Sequence, residues 1–267
     1  MKQKNPEKVT KNHEWTKKSL NFIHGCSHGC LYCYSLEMAT RYGWNNPKDW
    51  TTERVRQHDL DKRISNLDEL IMFPSSHDIT PTHLEESIQF LRKILEAGNE
   101  VLVVSKPHLE CIKRICDEFA QYKNKILFRF TVGSTSDEVL GFWEPGAPGF
   151  KERLSCLKQA FMAGFETSVS CEPMLDNQVE RVVKLVDPYV TETIWIGKAN
   201  RLLGTTGRGR LEFNGHLNIE TKKRALQLIE WQSDQNIIKL YDKLHSNPKI
   251  RWKESIKSVL RKQSLPV

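Results

Sequence analysis

At 267 residues, 39% of them hydrophobic and 27% charged, the chain can bury a full core, as one α/β barrel-like domain with an appendage or as two smaller units. No run reaches the roughly 18 consecutive apolar residues of a membrane span, and Met1 to Asn12 is polar and charged rather than a secretory apolar stretch, so a cytoplasmic protein with no membrane partner is expected. The net charge of +7 favours anionic partners without separating nucleic acid from nucleotides or simple solubility; seven cysteines, an odd number, fit reduced thiols and metal ligation better than a secreted disulfide framework.

In chain order, short apolar segments rich in β-branched and aromatic residues predict strands at Leu20–Ile23, Leu70–Phe73, Val101–Val104, Ile126–Val132, Thr167–Cys171 and Thr193–Ile196. Between them, Leu84, Ile88, Leu91 and Leu95 fall at helical spacing within Thr82–Ala97, and Leu109–Tyr122 and Phe150–Ala163 behave alike. Gly98 and Gly164 stand at two of the expected helix stops. Gly141–Gly149 and Gly204–Gly215 read as loops, and Ile219–Leu244 and Trp252–Leu260 as helices. Alternating strands and helices predict an α/β fold: an open, partial β/α barrel of six parallel strands with helices outside, over residues 1–213, plus a C-terminal helical extension, 214–267. The strand C-termini then share one mouth, where ligand chemistry collects. Basic residues gather toward the C-terminus, at Arg208, Arg210, Lys222, Lys223, Arg224 and in the run Lys249, Arg251, Lys253, Lys257, Arg261, Lys262. That run reads first as solvated helix faces and second as a surface for an anionic partner.

Directly after the first strand stands Gly25-Cys26-Ser27-His28-Gly29-Cys30-Leu31-Tyr32-Cys33-Tyr34. Cysteine spacings of four and three let a short loop wrap Cys26, Cys30 and Cys33 around one [4Fe–4S] cubane. Three ligands for four irons leave one iron open to chelate the amino and carboxylate groups of S-adenosylmethionine (SAM) and to pass an electron to its sulfonium. The competing reading is a zinc knuckle completed by His28 or another residue, in a non-catalytic or redox-sensing protein.

From about Glu14 to Asn200 the sequence resembles the radical SAM superfamily, and within it the branch of spore photoproduct lyase and DNA-repair photolyase-like proteins. The resemblance rests on Trp15, the block 25–34, the pair Ser105-Lys106, and Glu144-Pro145 followed by Arg153-Leu154. It implies an enzyme that cleaves SAM reductively to a 5′-deoxyadenosyl radical, which abstracts hydrogen from a substrate. Nucleic acid or a nucleotide is the substrate it favours; modification of a peptide or small metabolite is the alternative. A reductant such as flavodoxin or ferredoxin is the partner it requires.

The same resemblance sets Tyr32 near the SAM adenine and Lys106 on the SAM carboxylate, with a snorkelling surface lysine as the structural alternative. Pro74-Ser75-Ser76-His77-Asp78 stands where many members carry a Gly-Gly-Glu-like stretch for the SAM amino group; here Ser75, Ser76 and Asp78 either take that role or form a helix-capping turn. Glu144 either accepts from a ribose hydroxyl or only orders its loop through Arg153. Strand alternation turns Arg129 and Thr131, and Ser168, Ser170 and Glu172, toward the barrel interior. The same alternation turns Cys171 toward the helices as a buried small hydrophobe, although the resemblance nominates it as a hydrogen-atom donor. Lys198 and Asn200 are expected at the mouth and Trp195 in the core. Cys111, Cys116 and Cys156 are expected to pack in helices.

Overall fold

In the computed structural model, which describes residues 14–205 and 207–266, the apolar segments lie side by side in one sheet. Its seven strands run in the order β1 (Lys18–Ser19), β4 (Leu70–Phe73), β5 (Glu100–Ser105), β6 (Ile126–Thr131), β7 (Glu166–Cys171), β8 (Ile194–Ile196) and β9 (Ile250–Trp252). Every neighbouring pair is parallel, and β1 and β9 are unpaired edges, so the barrel is open. A separate antiparallel pair joins β2 (Ile23–His24) to β3 (Arg54–Val55).

Helices α3 (Leu84–Glu96), α4 (Leu109–Glu118), α5 (Asp137–Trp143), α6 (Phe150–Met162) and α7 (Val179–Val186) lie between successive strands. Their apolar stripes drive the packing: Ile88, Phe90, Leu91, Ile94 and Leu95 of α3 are all buried, as are Cys111, Ile112, Ile115 and Cys116 of α4 and Cys156 of α6. Gly98 and Gly164 follow α3 and α6 with φ of 93° and 79°, the left-handed stop for which glycine is suited.

Register fixes which side chains meet inside the barrel. Val104, Arg129 and Ser168 are aligned across three strands, and Thr131, Ser170, Trp195 and Arg251 across four; aligned residues share a face. The other face, with Phe128, Phe130, Val169, Cys171, Ile194 and Ile196, is buried in the apolar core. Trp195, expected in that core, instead turns inward, its ring 6.1 Å from that of Trp15.

Five element expectations are corrected. The segment 20–23 is largely a buried connector: the paired residues are Lys18–Ser19 before it and Ile23–His24 at its end, because the apolarity of Leu20 and Phe22 reports burial rather than pairing. The C-terminal segment adds a strand, β9, beside β8; three residues are too few to show an alternation. The long helix over 219–244 is two, α9 (Ile219–Trp231) and α10 (Asp234–Leu244), parted where the Gln232 side chain turns inward to donate to Met174 O and accept from Ala199 N. The remaining α-helices are α1 (Tyr34–Arg41), α2 (Gln57–Asp61), α8 (Arg210–Phe213) and α11 (Glu254–Lys262); α11 is expected, whereas α8 and the last residues of α5, 141–143, lie in segments read as loop.

Glu14 clasps the open side of the barrel. Its carboxylate lies 2.8 Å from Lys253 Nζ and accepts from the backbone N–H of Glu254 at 3.0 Å, which ties the start of the described chain to the far edge of the sheet.

Candidate active site

The cysteine loop leaves β2 through Gly25, whose φ is +91°. A Cβ there would stand 2.6 Å from Thr52 O and 2.7 Å from Trp50 O, so only glycine fits. Cys26 N donates to Trp50 O at 2.8 Å, and Cys33 N to Cys30 O at 3.0 Å. Cys33 also caps α1, its Sγ accepting from Leu36 N at 3.4 Å. Burial pushes the Cys26 and Cys33 thiols up and the Cys30 thiol to about 12. Such thiols ionise at neutral pH only against a positive charge of the kind iron supplies. Three free thiols opening on one cavity therefore fit an iron–sulfur group in donor chemistry.

Two carboxylates brace the loop from outside. Glu53 accepts from Ser27 N and Ser27 Oγ, each at 2.9 Å, and from Thr80 Oγ1 at 2.7 Å. Asp78 accepts from Ser105 Oγ at 2.5 Å, Ile79 N at 2.8 Å and Lys106 N at 2.9 Å, and its Oδ2 lies 3.2 Å from His28 Nδ1. Burial would raise the Asp78 pKa, but His28 and Lys106 outweigh it and hold the carboxyl at about 2. His28 Nε2 lies 3.0 Å from His108 Nε2. Asn21 holds the neighbouring turn, accepting from Ser75 N at 2.8 Å and Ser76 N at 2.9 Å and donating to Ser75 Oγ at 2.9 Å.

Lys106 follows β5, its Nζ 5.7 Å from the centre of the Tyr32 ring. Burial opposes its charge, but Cys30, Glu144 and Asp78 outweigh burial and raise its pKa. It is an interior ammonium and not a snorkelling surface lysine.

Glu144 takes the loop-ordering alternative. Its carboxylate accepts from Arg153 Nη2 at 2.5 Å and from the Tyr32 hydroxyl, with both acid and arginine fully buried. Arg153 also donates to Pro148 O at 2.7 Å and Thr131 O at 3.1 Å. This loop reaches the cysteine loop directly: Leu31 N donates to Trp143 O and Gly146 N to His28 O, both at 2.9 Å.

The segment 204–215 supplies a second clamp, invisible in the sequence because its partners lie more than 170 residues away. Asn214 Nδ2 donates to Leu31 O and Cys33 O, each at 3.0 Å. Arg210 Nη1 donates to Tyr32 O at 3.3 Å, and its Nε lies 2.9 Å from Glu37 Oε2.

These braces surround a cavity of about 560 Å³ at the C-terminal ends of the strands, within the range of small-molecule sites. Cys26, Cys30, Cys33, Tyr32, Ser75, Ser76, Asp78, Ser105, Lys106, Thr131, Glu172, Lys198 and Asn200 all line it. Five predicted residues do not, one of them Ser168, which is buried and donates to Thr193 O at 2.6 Å. Arg129 faces inward but below the mouth, donating to Ser168 Oγ at 2.9 Å and Glu192 Oε2 at 2.8 Å under the rings of Trp15 and Trp195. Ser170 is buried one layer beneath Glu172, Glu144 is spent on Arg153 and Tyr32, and Cys171 is buried on the helix side. Two basic residues read as solvated faces, Arg210 and Lys253, line the cavity instead. Lys253 is buried and also lies 3.3 Å from Glu172 Oε2.

The sequence profile of the radical SAM superfamily matches residues 20–195. An uncharacterized protein of Acidianus two-tailed virus is 26% identical over 179 residues, covering 62% of this chain and 59% of the viral protein, so the chain spans less than two thirds of that curated relative. Among solved structures, a cysteine-to-serine variant of spore photoproduct lyase matches with a TM-score of 0.50 and 14% identity, over 94% of this chain and 80% of that one. A tyrosine-to-phenylalanine variant of the same lyase matches with a TM-score of 0.50 and 15% identity, over 88% and 75%. Both are likenesses of fold. With the profile covering about two thirds of its length, the chain belongs to the radical SAM superfamily.

Proposed function

We propose that Cys26, Cys30 and Cys33 hold a [4Fe–4S] cluster, that SAM binds beside it, and that the substrate is nucleic acid or a nucleotide. The observation that carries this reading is that the three thiols, Tyr32, Lys106 and Glu172 open onto one cavity at the strand ends. When bound and reduced, the cluster supplies an electron to the SAM sulfonium, releasing methionine and a 5′-deoxyadenosyl radical for hydrogen abstraction.

The chain's own part is binding, orientation and exclusion of water. Lys106, kept cationic by its carboxylate neighbours, meets the SAM carboxylate. The Ser75 and Ser76 hydroxyls and backbone carbonyls receive the SAM ammonium, while Asp78, already committed to Ser105 and two backbone amides, holds that turn in place. Tyr32 offers its ring to the adenine, its hydroxyl fixed on Glu144. Thr131 and Glu172 offer acceptors for ribose or substrate hydroxyls. Lys106, Lys198, Arg210 and Lys253 line the cavity, three of them paired with carboxylates: Lys198 with Asp234, Arg210 with Glu37, and Lys253 with Glu14 and Glu172. A low-potential reductant such as flavodoxin or ferredoxin delivers the electron.

Two observations support a cluster over a zinc site. His28 has its Nε2 committed to His108 and its Nδ1 3.2 Å from the Asp78 carboxylate. Among the described residues, no three His, Cys, Asp or Glu side chains converge on a point that one ion could hold, whereas a cubane presents a separate corner to each thiolate.

Anaerobic reconstitution with iron and sulfide tests the reading. It predicts the broad visible absorbance of a [4Fe–4S] cluster and 5′-deoxyadenosine production on reduction with SAM, both lost in Cys30→Ala. Stoichiometric zinc with no deoxyadenosine would overturn it. Among the described residues no helix is long and apolar enough to cross a membrane.

A further inference from the structure

We propose that the surface formed by Tyr42, Trp44, Arg41, Arg201 and Arg208, beside the cavity mouth, binds single-stranded nucleic acid, with bases stacking on the aromatic pair and phosphates on the guanidiniums. The proposal rests on the nucleic-acid reading above and says where the strand lies before it reaches the cavity.

The aromatic pair is the first observation. Trp44 is 66% exposed and Tyr42 61%, yet their rings stack with centroids 4.9 Å apart and planes within 21°. A stacked pair covers one face of each ring and leaves the other open, so a base can extend the stack with no rearrangement of the protein. Every base has such a face, which makes this kind of contact tolerant of sequence.

The second observation is the charge beside it. Arg41, Arg201 and Arg210 all pair with the single buried carboxylate of Glu37, at 3.4, 2.7 and 2.9 Å, and Arg208 pairs with Glu212. Four guanidiniums thus share two carboxylates, leaving two uncompensated positive charges on one small area. Arg41 and Arg208 lie 4.6 and 4.9 Å from the centre of the Phe213 ring, which holds their planar forks on an aromatic ring where they can meet phosphate oxygens.

Continuity with the cavity is the third. Tyr34 and Arg210 line the mouth; Tyr34 begins α1 and Tyr42 directly follows its end. Eight residues of α-helix span about 12 Å, so the stack stands one or two nucleotides from the mouth, with the arginine group around Glu37 between them. An acidic protein partner would use the charge but gives no reason for two indole and phenol faces held open in parallel.

The test measures anisotropy of a labelled oligodeoxythymidylate of about 12 nucleotides, and of a duplex of equal length, with the cluster-reconstituted full chain. The single strand is expected to bind more tightly than the duplex and to weaken with salt. The variant Tyr42→Ala/Trp44→Ala should bind it about tenfold or more weakly with unchanged cluster absorbance, and Trp44→Phe should recover most of the loss. Arg208→Ser should lower the slope of log affinity on log salt by about 0.7. If the strand binds and the double variant binds it equally well, the platform is overturned and the substrate reading stands. If no nucleic acid binds the wild type, both fall. If the double variant binds the strand normally but is reduced more slowly by flavodoxin, the surface docks the reductant and the proposal is overturned.

Discussion

Replacing Glu144 by alanine leaves the Arg153 guanidinium, fully buried, with only the carbonyls of Pro148 and Thr131 as acceptors. Breaking a buried ion pair from one side costs about 3–5 kcal/mol, because the remaining charge stays desolvated and uncompensated. For a domain of this size about 3 kcal/mol lowers Tm by about 6–12 °C. The Tyr32 hydroxyl also loses its acceptor, an effect that overlaps the first and is not added to it. Chemical denaturation of Glu144→Ala, Arg153→Met and the double Glu144→Ala/Arg153→Met forms the test. The double variant removes both charges and is expected to be more stable than either single variant, with a coupling of about 2 kcal/mol or more. A Glu144→Ala protein within about 1 kcal/mol of wild type, or a cycle with no coupling, would refute the reasoning.

The same pair sets a pH dependence. Burial alone would raise the Glu144 carboxyl, but Arg153, Lys106 and the Tyr32 hydroxyl outweigh it and hold it below its ordinary value. A carboxyl depressed in the folded state binds its proton less readily there than in the unfolded chain. Its contribution is therefore complete above the unfolded carboxyl value of about 4.3 and is lost as pH falls through the folded value. Wild type should lose denaturation midpoint on acidification below that value more steeply than Glu144→Gln, and equal slopes would count against the assignment.

Cys171→Ala removes a buried sulfur outside the cavity lining; it should cost about 1 kcal/mol and leave substrate turnover intact, and a variant with intact cluster but no turnover would restore the cysteine as a hydrogen donor. Gly25→Ala drives a Cβ into Thr52 O and Trp50 O at a φ of +91° and should abolish cluster loading, measured as iron content. Gly141→Ala, in α5 with nothing within 4 Å of its added Cβ, should load normally. Asn214→Ala frees the Leu31 and Cys33 carbonyls; it should destabilise by about 1–3 kcal/mol and speed iron loss to a chelator.

What was legible in the sequence was whatever depends on near neighbours. The cysteine spacing is local, and strand parity is local too, so Thr131 and Glu172 were directed to the cavity and Cys171 away from it before any partner strand was known. Parity gives a face but no depth. Arg129 and Ser170 share a face with Thr131 and Glu172 yet lie below the cavity, because their height is set by how β6 and β7 register with their neighbours. Glu144 and Arg153 were seen as a pair nine residues apart, and the structure realises the ordering role rather than the ribose contact, since both groups are buried against each other. Arg210, Asn214 and Lys253 were illegible: nothing near them in sequence distinguishes a basic or amide side chain that crosses the fold from one that meets water.

Those last three residues alter how the site should be divided. The family match ends at residue 195, and within it lie the thiols and Lys106. Arg210 and Asn214 nevertheless hold the backbone carbonyls of Leu31, Tyr32 and Cys33, and Lys253 lines the cavity between Glu14 and Glu172. An open barrel has two edges that its own strands cannot close, and a cysteine loop at its mouth has carbonyls that its own residues cannot satisfy. The segment after β8 holds those carbonyls and, through Lys253, ties the β9 edge to Glu14. The chemistry-bearing groups and the groups that fix their positions thus come from different parts of the chain, and substitutions outside the matched region should act on the cluster as strongly as many within it.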